Sequence, residues 1–217
     1  MTVVKVGGGL AREAGDDALR ALCGVIAELG ARHPLLVVPG GAEFADAVRE
    51  HDERLGLQPQ TAHRMAILAM DQFGWALADL IPGAVRCVGL EPARDGVVSV
   101  LLPAALLAER DPLPASWAVT SDSIAAWVAG AAGAERLVLL KPVAGLYRTW
   151  PQTGEPIARL TVDELAALQP AGVDRHLPAA LRTAGVETWV IGGRQPARLA
   201  ELLDEGGTAG TLVTAAA

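Results

Sequence analysis

Lys5-Val6-Gly7-Gly8-Gly9, a lysine closing an apolar run with three glycines behind it, is the first stretch of this chain whose residue types could do chemistry. Glycines let backbone N–H groups approach an anion without a Cβ in the way, and a following helix adds its positive end. Lys5 would then set an ammonium against a phosphoryl group in transfer. The alternative is a flexible turn carrying a solvated lysine. Pro39-Gly40-Gly41-Ala42 repeats the device after a second apolar run. Two such loops could face two ends of a phosphate chain, and the pair is more specific than either alone. Neither is a Walker A loop, and neither is a G-x-G-x-x-G dinucleotide fingerprint. A third stretch, Trp117-Ala118-Val119-Thr120-Ser121-Asp122-Ser123, opens a helical pattern. Thr120 or Ser121 could cap that helix. Asp122 could instead accept hydrogen bonds from Lys5 and from glycine N–H groups. Gly192-Gly193 either turns the chain or lines a nucleotide.

These residues need a scaffold, and the hydropathy pattern supplies one. Short apolar runs at 2–6, 35–38, 97–101, 136–140 and 187–191, with a weaker one at 87–89, predict strands. Helical spacing predicts helices at 16–29, 43–55, 60–80, 123–132, 177–184 and 196–205. Continuous apolar strands alternating with amphipathic helices imply an α/β fold with a mainly parallel sheet covered on both faces. Ligands bind such sheets beyond the carboxyl ends of the strands, where all these loops fall. Residues 147–159, rich in Thr, Gly and Pro, read as a surface hairpin or flap.

At 217 residues and 51% hydrophobic, the chain suits one sizeable domain with a buried core. A formal charge of −7 gives no general attraction to nucleic acid or to an anionic membrane. A phosphorylated ligand must therefore be held by a local cluster of donors. Cys23 and Cys87 lie far apart in apolar surroundings and read as buried thiols in a reducing compartment. No secretory start and no membrane-length apolar run is seen, so a cytoplasmic protein is expected.

Taken together, the order and spacing of these loops, with Val143-Ala144-Gly145-Leu146-Tyr147 and Gly210-Thr211-Leu212-Val213, resemble the amino acid kinase family over nearly the whole chain. The resemblance implies a three-layer αβα sandwich that uses ATP and Mg2+, the metal held mainly by phosphates rather than by side chains. It implies a single domain, 1–217, with an acceptor-side lobe to about 120 and a nucleotide-side lobe beyond. Lys5 and Asp122 would be catalytic, with Asp122 organising the lysine. Gly7, Gly8, Gly9, Gly40 and Gly41 would bind phosphate. Thr120, Lys141, Val143, Gly145, Leu146, Tyr147 and Gly193 would hold the nucleotide. The chain departs from the family where Lys141-Pro142-Val143-Ala144-Gly145 replaces the usual Thr-Asp-Val-Asp-Gly. A second lysine usual near the late helix is missing, leaving that role unfilled or to Lys141. The family commonly forms homo-oligomers through its helices.

Within the family the chain is similar to the short kinases of methanofuran biosynthesis, which act on an aminomethylfuran methyl phosphate. That likeness rests on Pro39–Ala45, Ala62–Ile67, Ser116–Ser123 and Gly193–Arg198. It implies a small phosphorylated acceptor held by Glu43, Phe44, His63, Arg64 and Trp117. Trp117 would stack on the ring, Glu43 or Asp71 would pair an ammonium, and His63 or Arg64 would take the phosphate. For His63 and Arg64 a plain surface role stands equally open. Arg49, Glu50, Asp52 and Glu53 read as a solvated helix face, and Met65, Ile67, Leu68 and Met70 as core. The rivals are uridylate kinase, whose loop carries Asn, Arg and Gly where this chain has Glu43 to Ala47, and a catalytically silent nucleotide- or oxyanion-binding relative.

Overall fold

The computed structural model describes residues 1–90, 96–110 and 112–215. Its elements run β1 (Thr2–Val6), α1 (Gly8–Ala14), α2 (Asp16–Gly30), β2 (Leu35–Pro39), α3 (Ala42–Leu55), α4 (Pro59–Leu80), β3 (Val85–Cys87), β4 (Ser99–Leu101), α5 (Pro103–Arg110), α6 (Ser121–Ala131), β5 (Arg136–Lys141), β6 (Arg159–Thr161), α7 (Val162–Leu168), α8 (Leu177–Ala184), β7 (Glu187–Gly192), α9 (Ala197–Glu205) and β8 (Thr211–Thr214). The strands form one sheet in the order β3-β4-β2-β1-β5-β7-β8-β6. Every neighbouring pair is parallel except β7 and β8. This is the expected α/β sandwich.

The central strands are apolar throughout because both of their faces are covered. Alternate residues feed two cores. Val4, Val6, Val138 and Leu140 meet Leu22 and Ile26 of α2 and Leu199 of α9. Val3, Leu137 and Leu139 meet Ile124, Ala125 and Val128 of α6 and Leu177 and Leu181 of α8. The period of two along a strand then decides where the lysines go. Lys5 follows Val3 and Lys141 follows Leu139, so both rise from the face that α6 covers. Strands β1 and β5 are direct neighbours, with Lys5 opposite Leu139. The two ammoniums are thus brought together by register alone.

Elements α1, α5, β6, α7 and β8 were not anticipated from the hydropathy pattern, and Gly8 and Gly9, read as a turn, open α1. Strands β6 and β8 are only three and four residues long. Helix α7 does carry a legible start, since Thr161 and Glu164 form a reciprocal capping box. Residues 147–158 form no hairpin. They make an irregular loop, closed at its base by the Ile157 N–H donating to the Leu146 carbonyl at 2.8 Å. Among the described residues no helix is long and apolar enough to cross a membrane.

Candidate active site

Asp122 lies in the first turn of α6 and reaches down onto the ends of β1 and β5. Its carboxylate accepts from Lys141 Nζ at 2.8 and 2.6 Å and pairs with Lys5 Nζ at 2.9 Å. All three side chains are buried, with Lys5 4%, Asp122 2% and Lys141 8% exposed. Burial by itself would raise the Asp122 pKa, but the two ammoniums outweigh it and hold the carboxyl well below the usual range. Lys141 is pushed down to about 8. Burial is the largest cause, the Asp122 carboxylate opposes it, and repulsion from Lys5 adds to it. One carboxylate therefore holds two ammoniums, and the larger cavity that both lysines line also takes Arg194 and, among the described residues, no carboxylate. That is the electrostatic condition of a site that takes an anion.

The turn that carries Asp122 is fixed by a residue the hydropathy and motif reading passed over. The Asp174 carboxylate accepts from Thr120 N–H at 2.8 Å, Thr120 Oγ1 at 2.9 Å, Ser123 N–H at 3.0 Å, Ser123 Oγ at 2.5 Å and His176 N–H at 3.1 Å. Its own N–H donates to Asp122 Oδ2 at 3.3 Å. Thr120 is the N-cap of α6, accepting from the Asp122 N–H at 3.5 Å. The cap at Thr120 and the lysine partner at Asp122 are therefore both realised in geometry, while the backbone N–H on Asp122 is that of Asp174 and not of a glycine.

The two glycine turns abut. A Cβ on Gly8 would lie 2.2 Å from Ala42 Cα, and one on Gly40 would lie 2.7 Å from the Gly8 nitrogen. Such approaches are open only to glycine, because no real Cβ sits that close to backbone. The Gly40 N–H donates to the Val6 carbonyl at 2.8 Å, tying the second turn to the end of the first strand, so Gly40, expected to bind phosphate, spends its donor on the fold and lines neither of the two cavities beside Lys5. Gly7 leaves room for Lys5, whose Nζ would be 2.9 Å from a Cβ there.

A cavity opens on each side of Lys5. The smaller, about 200 Å³, reaches from Gly8, Gly9 and Gly41 to Arg12, Asp46, Arg49, His63 and Trp117, with Ile67, Met70 and Ile124 as apolar wall. The larger, about 600 Å³, is lined by Gly7, Gly9, Lys141 and Val143 and by Trp150, Gln152, Gly172 and Arg194. Lys5 and Gly9 belong to both.

Several expected site residues fall elsewhere. Glu43 is exposed on α3 and Phe44 packs toward the α2 core, so neither lines the smaller cavity. Arg64 is exposed beside Leu68 and Leu107 in an adjoining groove. Asp71 accepts from the Ala104 N–H at 3.0 Å at the start of α5, which leaves it off the cavity. Trp117 does line the cavity, but its indole N–H donates to Asp52 at 2.6 Å and the Arg49 guanidinium covers its ring at 4.6 Å. Arg49 is thus part of the wall, and Asp52 holds Trp117 in place, so neither is a merely solvated face. Ile67 and Met70 are core and wall at once, whereas Leu68, expected in the core, is exposed on the outer face of α4.

On the other side, Thr120 lines the smaller cavity rather than the larger. Gly145 and Leu146 pack on β8, where the Leu146 N–H donates to Thr211 Oγ1 at 2.8 Å. Tyr147 is half-buried outside the lining. Gly193 reaches the cavity only through Leu10, against which a Cβ would lie 2.5 Å away. Arg12 and Asp46, paired with each other, and Trp150, Gln152 and Gly172 carry no local motif that would have marked them, whereas Arg194 lies in the Gly193–Arg198 stretch but was given no role there.

The model of the amino acid kinase family matches residues 1–85 and 90–191. A [5-(aminomethyl)furan-3-yl]methyl phosphate kinase of Methanocaldococcus jannaschii is 27% identical over 209 residues, covering 94% of this chain and 93% of that protein. An acetylglutamate kinase of Saccharopolyspora erythraea is 33% identical over 248 residues, covering 88% and 80%. Among solved structures, a uridylate kinase of Archaeoglobus fulgidus superposes with a TM-score of 0.76 at 19% identity, covering 99% of this chain and 100% of that one. A UMP kinase of Bacillus anthracis gives 0.72 at 14%, covering 100% and 96%. At those identities the solved structures show a shared fold.

Proposed function

Because this chain belongs to the amino acid kinase family, we propose that it transfers the terminal phosphoryl group of ATP to a small phosphomonoester, [5-(aminomethyl)furan-3-yl]methyl phosphate, giving the diphosphate and ADP. One observation carries the reading: the Lys5 ammonium, held by Asp122, is a wall of both cavities. A donor in the larger cavity and an acceptor in the smaller would meet at that charge.

The larger cavity suits a nucleoside triphosphate in size, in its glycine N–H groups and in the Lys5, Lys141 and Arg194 cations of its lining. Among the described residues no three His, Cys, Asp or Glu side chains gather as a metal site. We therefore assign Mg2+ to phosphate oxygens, where it would neutralise charge between the transferring and leaving groups. An acceptor phosphate oxygen is already anionic and needs no general base. It attacks the terminal phosphorus, the bond to the bridging oxygen breaks, and ADP leaves with that electron pair. Lys5 and Lys141 stabilise the charge that moves, and Lys141 takes the second-lysine role.

Two features support the furan acceptor. The relative of that name aligns over nearly the whole of both chains. The smaller cavity also offers the right groups in revised positions. Arg12, Arg49 and His63 suit the phosphate, Ile67 and Met70 suit a flat ring, and Asp46 replaces Glu43 and Asp71 as partner for an ammonium. We assign an acceptor-side lobe to about residue 120 and a nucleotide-side lobe beyond, within one domain, with the turn after β1 serving both cavities. We place the reaction in the cytoplasm and expect a homo-oligomer. Exposed Leu68 and Trp75 on α4 are the surface we assign to it, and sedimentation of wild type against Trp75→Glu tests that assignment.

The decisive assay measures ADP release with the furan phosphate, with UMP, with N-acetylglutamate and with no acceptor. Turnover with the furan phosphate is expected. Turnover with UMP or N-acetylglutamate alone removes the acceptor assignment. Tight ATP binding with no turnover on any acceptor identifies a silent binding protein.

A further inference from the structure

We propose that Asp174 is a positioning residue of the transfer site: it locks the first turn of α6 behind Asp122 and completes a charge-balanced set with Lys5, Asp122 and Lys141. The inference rests on the phosphoryl-transfer reading and deepens it.

Asp174 stands 51 to 54 positions from the residues it holds, on the segment leading into α8. The two oxygens of a carboxylate accept at about four lone-pair sites, and here five donors converge on them, which leaves the group fully engaged. Four of them come from Thr120 and Ser123, which bracket Asp122 in the chain. The Asp174 N–H then touches Asp122 itself. The rotamer that lets Asp122 reach both lysines is therefore held from the far side of the carboxylate that does the reaching. Gly172, two residues earlier, lines the larger cavity, while Thr120 and Ser121 line the smaller. The Asp174 contact thus joins the walls of both cavities behind the reacting centre.

Charge gives the second half. Lys141 faces Lys5 on β1, Asp122 on α6 and the Asp174 carboxylate, and Arg194 after β7 shares its cavity wall. With both carboxylates the set of four balances. Without Asp174 it carries an unbalanced buried positive charge, and release of a proton from Lys141 is the readiest way to remove it. Asp174 thus keeps Lys141 a cation in the pH range where transfer needs one.

The test compares Asp174→Asn with Ser123→Ala, which removes one hydrogen bond and keeps the charge. For Asp174→Asn we expect kcat to fall at least about tenfold with little change in the KM for ATP, and the alkaline limb of the kcat profile to move down by about one pH unit. Ser123→Ala should lower kcat and leave that limb in place. An even loss at every pH in Asp174→Asn, or no loss, overturns the proposal. Lys141 is read independently of turnover by its acetylation rate with dilute acetic anhydride between about pH 6 and 10, followed by mass spectrometry. Its midpoint should move down in Asp174→Asn, and an unmoved midpoint overturns the charge claim even if no acceptor is turned over. Lack of turnover by wild type alone would count against the proposed function instead. Should Asp174→Asn fail to fold, Asp174→Glu keeps the charge on a longer arm. Lower kcat with an unmoved alkaline limb is expected, and wild-type kcat overturns the positioning role.

Discussion

At the scale of single residues, the site is one carboxylate between two ammoniums, and its consequences are electrostatic. Lys5 touches both cavities, so its charge should matter more to the transition state than to either bound ligand. Lys5→Ala is expected to lower kcat by about a hundredfold to a thousandfold with a much smaller effect on the dissociation constant for ATP. Equal losses in both, measured by steady-state kinetics and calorimetry, would show a binding role only. Lys141 makes a pH prediction whose sign follows from burial. Its pKa is lowered from 10.5 to about 8 on folding. Between those values the unfolded chain binds the proton that the folded chain has released, so stability rises with pH across that window. Catalysis should move the other way, falling as Lys141 loses its charge. Urea midpoints and kcat measured from about pH 7 to 10 should therefore diverge, and Lys141→Met should abolish the rise in stability. Asp122 acts at the opposite end. Its lowered pKa contributes stability above the usual carboxylate range, and that contribution is lost as the medium is acidified.

At the scale of elements, the close approach of the turns after β1 and β2 fixes the spacing of the cradle. Gly40→Ala would press a methyl into the Gly8 nitrogen at 2.7 Å. It should cost about 1–3 kcal/mol of stability and raise the KM for ATP, because the turns must separate. Thermal melts beside kinetics would check this, and an unchanged KM would mean that the cradle tolerates the wider spacing. Much of this level was readable from the residues. Strands covered on both faces announce themselves as unbroken apolar runs, and β1, β2, β5 and β7 were found within about a residue of their ends. The alternation that sends Lys5 and Lys141 to one face was also present, since each lies two places after a core residue. What could not be read were meetings made by topology. Asp174 joins Thr120 across 54 positions, and Asp46 meets Arg12 across 34. No local pattern marks either contact. Glu43 was misplaced because a helix start after a glycine turn does not say which way its side chains face, and α3 presents Asp46 and Arg49 to the cavity instead.

At the scale of the whole molecule, the parallel sheet places every loop that matters at one edge, beyond the carboxyl ends of its strands. One ammonium then divides that edge into two compartments. A partition of this kind has a kinetic signature. Each reactant can enter and leave its own chamber without displacing the other, and nothing obliges the enzyme to store the travelling group on a side chain between visits. Double-reciprocal plots should intersect, with saturation by either reactant leaving the other's dependence intact. Parallel lines would mean a phosphorylated enzyme form, for which the dividing wall offers a cation and no nucleophile.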